Sequence, residues 1–494
     1  MSKGGKYIIQ QNEDGRIQDA ITLNLPLLED RLKEIREKEC RDPLKPRILI
    51  DIAQTHNVFI KRYYKPTFPV AYEWTAEPLD SGTIFGFNTT NRFLLPVYGD
   101  FIGEMILYVK FSGLSAVSPL DKCYYCDFPG HRIAQLVSLT FSGNVIDQYT
   151  ADAYNVYYNY HVPDDKKKSW LRAVGQEFPE EAILRQSPLD ETRESKKILH
   201  GPQTPKNIQD DLELYIPILF DTSMKPHCAL FSAAIPFGQR FVEITTPPLN
   251  QIIYVENNGG GGLFNAPNLT CSLWINQFFI HQPVVYMLKQ KPYITPIRTF
   301  KYATFEASIS DTQKIDLLRL QAENFYFGMR PDANINPTDW WRFHHITPTA
   351  ITYPVRIPNP LPPPISQLAF NTANLNVITQ PITATNFMSR DVVVNNPAAI
   401  SFYSVLQPLA KSISPQDPGL VLFSFAQRNG FRVFGELEDS DNITSYFNIS
   451  NQREFYMSYA TNPATLPGTI YILARVINWL IIRQDGNVEI KYRN

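Results

Sequence analysis

Trp479-Leu-Ile-Ile-Arg483, Asp485-Gly486 and Val488-Glu-Ile-Lys-Tyr492 close the chain, and the parity of this stretch decides how the rest is read. In an extended strand Val488, Ile490 and Tyr492 fall on one side, Glu489 and Lys491 on the other. Asp-Gly between two such runs supplies the positive φ that a tight antiparallel turn needs. Arg132-Ile-Ala-Gln-Leu-Val-Ser-Leu-Thr-Phe141, Ser-Gly-Asn and Val145-Ile-Asp-Gln-Tyr149 form a second hairpin of the same kind. There Val137, Leu139 and Phe141 share one face, Ser138 and Thr140 take the other, and Gly143-Asn144 is read as the turn.

Working outward, strand signals recur at His56–Trp74, Leu212–Phe220, Phe241–Thr245, Leu269–Ile280, Ile297–Ile309, Ala350–Ile357, Gly419–Ala426 and Tyr446–Tyr459. Composition agrees. The 494 residues include 39 prolines, which helix interiors reject. The 31 Phe and 26 Tyr suit pleated, half-buried surfaces. Two helices are expected. Leu27–Cys40 sets Leu28, Leu32 and Ile35 on one face and ends at Asp42-Pro43, and Asp311–Ala322 is capped by Ser310 or Asp311. Residues 163–210, with Asp164-Asp-Lys-Lys-Lys168 and Asp190-Glu-Thr-Arg-Glu-Ser-Lys-Lys197, read as a solvated excursion. Pro358–Pro364 reads as a rigid extended linker.

Gly259-Gly-Gly-Gly262 is the sharpest break in composition, since consecutive glycines lose the most backbone entropy on ordering. No Lys-Ser/Thr follows to make it a phosphate loop. The expected organisation is an N-terminal arm at 1–45, a first strand-rich half at 46–258, a glycine-rich linker at 259–268 and a second half at 269–494. Two strand-rich halves of similar size fit β-sandwiches.

The chemistry is sparse. A net charge of −2 argues against a protein that coats nucleic acid. Cys40, Cys123, Cys126, Cys228 and Cys271 are an odd, scattered set, and the opening MSKGGKYIIQQNEDG lacks the apolar core of a secretory signal; both point to a reducing cytosol. The Asn-x-Ser/Thr triplets at Asn88, Asn268, Asn442 and Asn448 would carry no glycan there. The most apolar run, Ile470–Ile482, is broken by Arg475 and Asn478 and falls short of the ~20 residues of a membrane helix. Cys123-Tyr-Tyr-Cys126 lacks the second ligand pair of a zinc site, and no βαβ pattern supports a redox role. His344-His345, after Trp340-Trp-Arg-Phe343, has no carboxylate at ligand spacing and reads as packing. Gly-x-Ser-x-Gly is absent. No catalytic, cofactor-binding or metal residue is nominated, which favours a structural or binding role.

Several stretches resemble the major capsid proteins of African swine fever virus and its asfarvirus-like relatives. They are Thr55-His-Asn-Val-Phe-Ile60, Tyr64-Lys-Pro-Thr-Phe-Pro-Val-Ala-Tyr-Glu73, Tyr98-Gly-Asp-Phe101 and Tyr124-Tyr-Cys-Asp-Phe-Pro-Gly130. Val174-Gly-Gln-Glu177, Gly201-Pro-Gln-Thr-Pro-Lys206 and Ile235-Pro-Phe-Gly-Gln-Arg-Phe241 follow. Val355–Pro358, Asp417-Pro-Gly419, Asn448-Ile-Ser-Asn-Gln-Arg-Glu-Phe-Tyr456 and Ile477-Asn-Trp-Leu-Ile-Ile482 complete a collinear set from about residue 48 onward.

The resemblance implies an all-β double jelly roll, two eight-stranded antiparallel sandwiches side by side with long loops and few short helices. It implies a homotrimer acting as a pseudo-hexagonal capsomer that tiles an icosahedral shell. Expected partners are neighbouring capsomers, penton and minor capsid proteins and, peripherally, an inner viral membrane, with no direct nucleic acid, no enzymatic activity and no cofactor. The chain would sit in the virion capsid after assembly in the host cytoplasm. It departs from the family by being shorter, chiefly in the loops around 102–122 and 180–200 and in the second half's insertions, and by a poorly matching arm. Trimer-contact residues cannot be named from sequence. Two readings stand beside this one. A virus-coded scaffold of the same fold would shape a membrane and then leave. A carbohydrate-binding or carbohydrate-cleaving sandwich would need an aromatic groove with a carboxylate pair.

Overall fold

The computed structural model describes residues 70–491, without 81–84, 97, 177–180, 184–195, 199–200, 225–227, 236–239, 291, 316–320, 357–367, 390–399, 401, 414, 427–445 and 449–453. The arm at 1–45, the helix expected at Leu27–Cys40, most of His56–Trp74 and the Pro358–Pro364 linker lie outside the described residues.

Eight principal strands build the first sandwich: β1 (Val70–Glu77), β2 (Thr90–Leu94), β3 (Phe101–Ser112), β4 (Leu136–Phe141), β5 (Asn144–Thr150), β6 (Leu212–Pro217), β7 (Arg240–Thr245) and β8 (Asn268–Ile280). One sheet runs β1-β8-β3-β6 and the other β2-β7-β4-β5, with every pairing antiparallel. The second sandwich repeats the order with β9 (Tyr293–Glu306), β10 (Ser310–Lys314), β11 (Gln321–Pro331), β12 (Ile382–Ser389), β13 (Val421–Ser424), β14 (Phe455–Thr461) and β15 (Gly468–Ile482). Its sheets run β9-β15-β11-β13 and β10-β14-β12, and β16 (Val488–Lys491) pairs with the end of β15. In each unit the first and last strands lie side by side and the chain crosses back and forth between the sheets, with only the β4–β5 hairpin staying within one sheet, which is the jelly-roll winding. The chain is a double jelly roll.

Alternation builds the cores. Met105, Leu107, Val109 and Phe111 of β3 meet Leu273 and Ile275 of β8 inside the first sandwich, all essentially inaccessible. Burial of each such side chain contributes about 1.5–3 kcal/mol. Phe325, Phe327, Phe387 and Phe455 dominate the second core. Both hairpins form as expected, but β4 starts at Leu136, after a short helix α1 (Pro129–Ile133). Positive φ falls on Ser142 and Gly143 rather than on Gly143 and Asn144.

Four expectations are corrected. Leu269–Ile280 lies in the first sandwich, not the second: β8 fills the slot between β1 and β3. The glycine run is therefore a loop inside the first sandwich, and the chain crosses to the second after helix α4 (Gln282–Lys289). The helix expected at Asp311–Ala322 gives way in its described residues to strands: Ser310–Lys314 is β10, paired with β14, and β11 begins at Gln321, because neighbouring strands supply the hydrogen bonds that local propensity would have placed in a helix. The polar excursion begins with an ordered helix, α3 (Asp164–Ala173). Its acidic first turn and Arg172 in the last turn suit the helix dipole, and Trp170 is buried beneath it. The stretch 102–122, read as shortened loop, is largely β3. Helix α2 (Asp152–Tyr160) had no sequence signal, since its Tyr, Val and Asn residues favour strands or turns; it forms where all its sides are covered.

Asp121 explains the glycines. Its Oδ1 accepts the backbone N–H of Asn258 (2.9 Å) and Gly260 (3.0 Å), and its Oδ2 accepts that of Gly262 (2.8 Å). A loop wrapped on one carboxylate needs positive φ, seen at Gly259 (99°), Gly261 (99°) and Gly262 (68°), and a Cβ at Gly260 would lie 2.3 Å from Ser118. Desolvation pushes the Asp121 carboxyl up, but the three N–H donors together leave it below the ordinary carboxylate range. Asp121→Ala is expected to speed amide exchange at residues 257–262 while leaving exchange in β3 unchanged. Unaltered protection in the loop would contradict this role.

Candidate functional site: the seam between the sandwiches

The densest polar chemistry lies where the two sandwiches meet. Tyr471, Leu473 and Arg475 of β15 point out of the second core, as do Phe300 of β9 and Tyr326 of β11, yet all are buried because the first sandwich covers them. The cover is β5, α2 and the turn at Asp221. Thr150 and Tyr471 share a hydroxyl hydrogen bond of 2.7 Å, and His161 Nε2 meets the Tyr326 hydroxyl at 2.9 Å. Tyr149 packs on Phe300 at 5.2 Å between centroids.

Five ionisable residues stitch this seam. Arg298 holds Glu323 through two hydrogen bonds, Nε to Oε2 (2.7 Å) and Nη2 to Oε1 (3.2 Å), with side chains 4% and 1% exposed. Arg475 Nη2 donates to Asp221 Oδ1 (3.2 Å), whose Oδ2 accepts the Arg298 backbone N–H (3.1 Å). The Phe300 N–H donates to Asp147 Oδ1 (2.9 Å), and the Arg475 guanidinium lies 4.3 Å from the Phe300 ring centre. Asp147 and Asp221 come from the first sandwich, the other three from the second. Buried ion pairs add little net stability but penalise any arrangement that unpairs them, so the network fixes how the two sandwiches register. A second clamp joins the Asp417-Pro-Gly419 stretch to the His pair. Asp417 Oδ1 meets His344 Nδ1 (3.0 Å), Oδ2 accepts the Phe343 N–H (2.6 Å), and the Asp417 N–H donates to Asn159 Oδ1 of α2 (3.0 Å).

Sequence reasoning missed this seam. The one available signal was a charge inside an apolar run, Arg475 in Ile470–Ile482 and Asp147 in Val145–Tyr149. The Cys123-Tyr-Tyr-Cys126 motif is packed inside the first sandwich. Cys123 and Cys126 are buried free thiols; Cys123 points at the Lys206 carbonyl (3.4 Å), and burial pushes the Cys126 thiol up to about 12. Thiolates, the form that binds metal, are disfavoured there. Among the described residues no group of three His, Cys, Asp or Glu could hold a metal ion, and no helix is long and apolar enough to cross a membrane.

Buried imidazoles make the seam and its surroundings sensitive to acid. Trp170 Nε1–H donates to His131 Nε2 (3.0 Å), while His131 Nδ1 faces Asn155 Oδ1 (3.4 Å), so the neutral ring fits both partners. Desolvation pushes His131 from 6.5 down to about 3; the unfolded chain binds the extra proton, and stability is lost as pH falls below 6.5. Desolvation likewise holds His161 well below 6.5. Asp147 acts in the opposite sense. Burial pushes it up from 3.8 to about 7 against the pull of Arg475, so it adds stability as pH falls through that window. Two buried imidazoles against the buried Asp147 carboxyl leave a net loss of stability as pH falls below about 6.5. Urea midpoints across that range measure it. Asp147→Asn should steepen the fall and His131→Gln should flatten it; stability rising on acidification would overturn the assignment.

The two strand orders and the welded seam define the class of the molecule, a double jelly roll protein whose modules are held in one fixed pairing. No protein-family model matches the chain. In sequence it is similar to the hexon protein p72 of African swine fever virus, 23% identical over 662 aligned positions that span 100% of both chains, and equally to the major capsid protein of a warthog isolate of that virus. In structure it is similar to the Faustovirus major capsid protein, with a TM-score of 0.70 and 21% identity over 92% of this chain and 98% of the other. The PBCV-1 virus capsid protein follows at a TM-score of 0.60 and 14% identity, over 87% and 98%.

Proposed function

We propose that this chain is the major capsid protein of a large DNA virus, working as a homotrimeric, pseudo-hexagonal capsomer that tiles an icosahedral shell. One observation carries the reading: two jelly rolls of matching strand order, joined rigidly in one chain, with similarity to viral major capsid proteins from end to end. A shell protein works through surfaces that fit its own copies under closed symmetry, and a rigid pair of modules presents such surfaces without an ordering cost on assembly. Neighbouring capsomers, penton and minor capsid proteins are its partners, an inner membrane lies beneath it, and assembly takes place in the host cytoplasm.

The test is the native mass of the purified chain together with the protein inventory of purified virions. Three copies per particle and the chain as the most abundant virion protein are expected. A stable monomer at millimolar concentration would overturn the trimer. Absence from mature virions would favour the scaffold reading.

A further inference from the structure

A groove of about 330 Å³ opens at the end of the molecule where β1 begins and β8 and β15 finish. Ala234 and Ile235 line it from the first sandwich, and residues 482–486 line it from the end of β15 and the turn into β16. Lys289 joins them from the last turn of α4, the helix that crosses between the sandwiches. The volume falls in the range of about 300–1,000 Å³ typical of ligand clefts.

The carboxylates around this groove are engaged, whereas two of its cations are not. Glu489 holds Arg483 (2.9 Å), Asp485 Oδ1 accepts the Asn487 N–H (3.0 Å), and Asp100 Oδ2 on the adjoining loop accepts the Ile280 N–H (2.9 Å). Lys289 is exposed and pairs with no carboxylate among the described residues. Arg240 lies behind the wall, fully buried. Its Nη1 donates to the Ser232 carbonyl (2.7 Å) and its Nε to the Leu95 carbonyl (3.2 Å), but Nη2 has no partner. Burial pushes this guanidinium down to about 10, with no carboxylate to oppose the fall. A buried charge without a counter-ion leaves its positive potential for whatever enters next to it.

We propose that this groove docks a second protein, which enters it with an acidic side chain flanked by apolar residues on an extended segment. The carboxylate sits against Lys289 in the field of Arg240, and its apolar neighbours pack on Ala234, Ile235 and Ile482. The rim favours such a guest over a membrane. A layer of anionic headgroups would meet Asp485 and Glu489 as well as Lys289, whereas a single carboxylate avoids them. A concave site of this size also admits side chains and not a bilayer surface. The proposal rests on the capsid reading above for its class of partner, a minor capsid protein, and supplies the chemistry of the contact.

Isothermal titration calorimetry of the intact chain with acetyl-Ala-Leu-Asp-Leu-Ala-amide tests this, against a twin peptide carrying Asn in place of Asp. The acidic peptide is expected to bind about 10-fold more tightly than its twin at low salt, a preference that fades in about 0.5 M salt. Lys289→Glu should abolish the preference and Lys289→Arg should keep it. Ala234→Phe, which fills the groove, should weaken both peptides. Lys122→Glu, at an exposed site at the opposite end, should change nothing. Far-UV circular dichroism verifies that each variant is folded. Binding of neither peptide, equal binding of both, or a preference that survives Lys289→Glu overturns the proposal. Lys289-dependent flotation with phosphatidylserine vesicles would give the groove to a membrane instead. A change of oligomeric state in Lys289→Glu, read by analytical ultracentrifugation, would give it to another copy; either result overturns the proposal. A chain that is absent from virions overturns the capsid reading, while the peptide titration, made on the chain itself, stands or falls separately.

Discussion

Glu323→Ala is expected to destabilise the folded chain by about 3–5 kcal/mol, among the largest effects of any single substitution in the seam. Glu323 is 1% exposed and is the bidentate partner of Arg298. Without it the Arg298 guanidinium stays buried beside Arg475, with Asp147 and Asp221 as the nearby carboxylates. Desolvation already holds Arg475 below its ordinary value, so added positive potential cannot be absorbed cheaply. The double variant Arg298→Met with Glu323→Leu removes both charges at similar volume and should recover most of the loss. Urea unfolding of the two variants separates the cases. Equal destabilisation by the single and double changes would show that packing, not charge, accounts for the seam.

Phe387→Ala should cost a comparable amount, about 3–5 kcal/mol, by a different mechanism. The ring is inaccessible and lies 5.4 Å from both Phe325 and Phe327, 5.5 Å from Phe423 and 5.9 Å from Phe455, centroid to centroid. Truncation removes the transfer free energy, leaves a cavity that neighbouring strands cannot close, and deletes aromatic pairs worth about 0.5–1.5 kcal/mol each. Phe387→Leu, which fills part of the volume, should lose much less. The change would appear in the unfolding midpoint and in the near-ultraviolet circular dichroism of the aromatic cluster. A loss below about 1 kcal/mol would mean that the cluster repacks, contrary to a close-packed core.

The fold was legible wherever its signal was local. Both hairpins and the long strand β8 announce themselves by period-two alternation, with turn residues that tolerate positive φ. The failures have a common cause. Helix α2 and strand β10 adopt conformations that tertiary neighbours impose over local preference. The glycine run looked like a boundary because its reason for existing, the Asp121 carboxylate, lies more than a hundred residues earlier, with Gly260 and Asp121 separated by 139 positions.

Taken alone, the order of residues determined that this is an antiparallel β protein of two sandwiches without a recognisable catalytic motif. Strand parity and turn chemistry are properties of neighbours in the chain, so they can be read there. Tertiary structure alone decided which strands lie side by side, where one sandwich ends, and which charges share the seam. Arg475 and Asp221, 254 positions apart, meet only after both sandwiches have formed. It also buried the outer face of β15 in the second sandwich, because among the described residues β5, α2 and the Asp221 turn of the first sandwich lie against it.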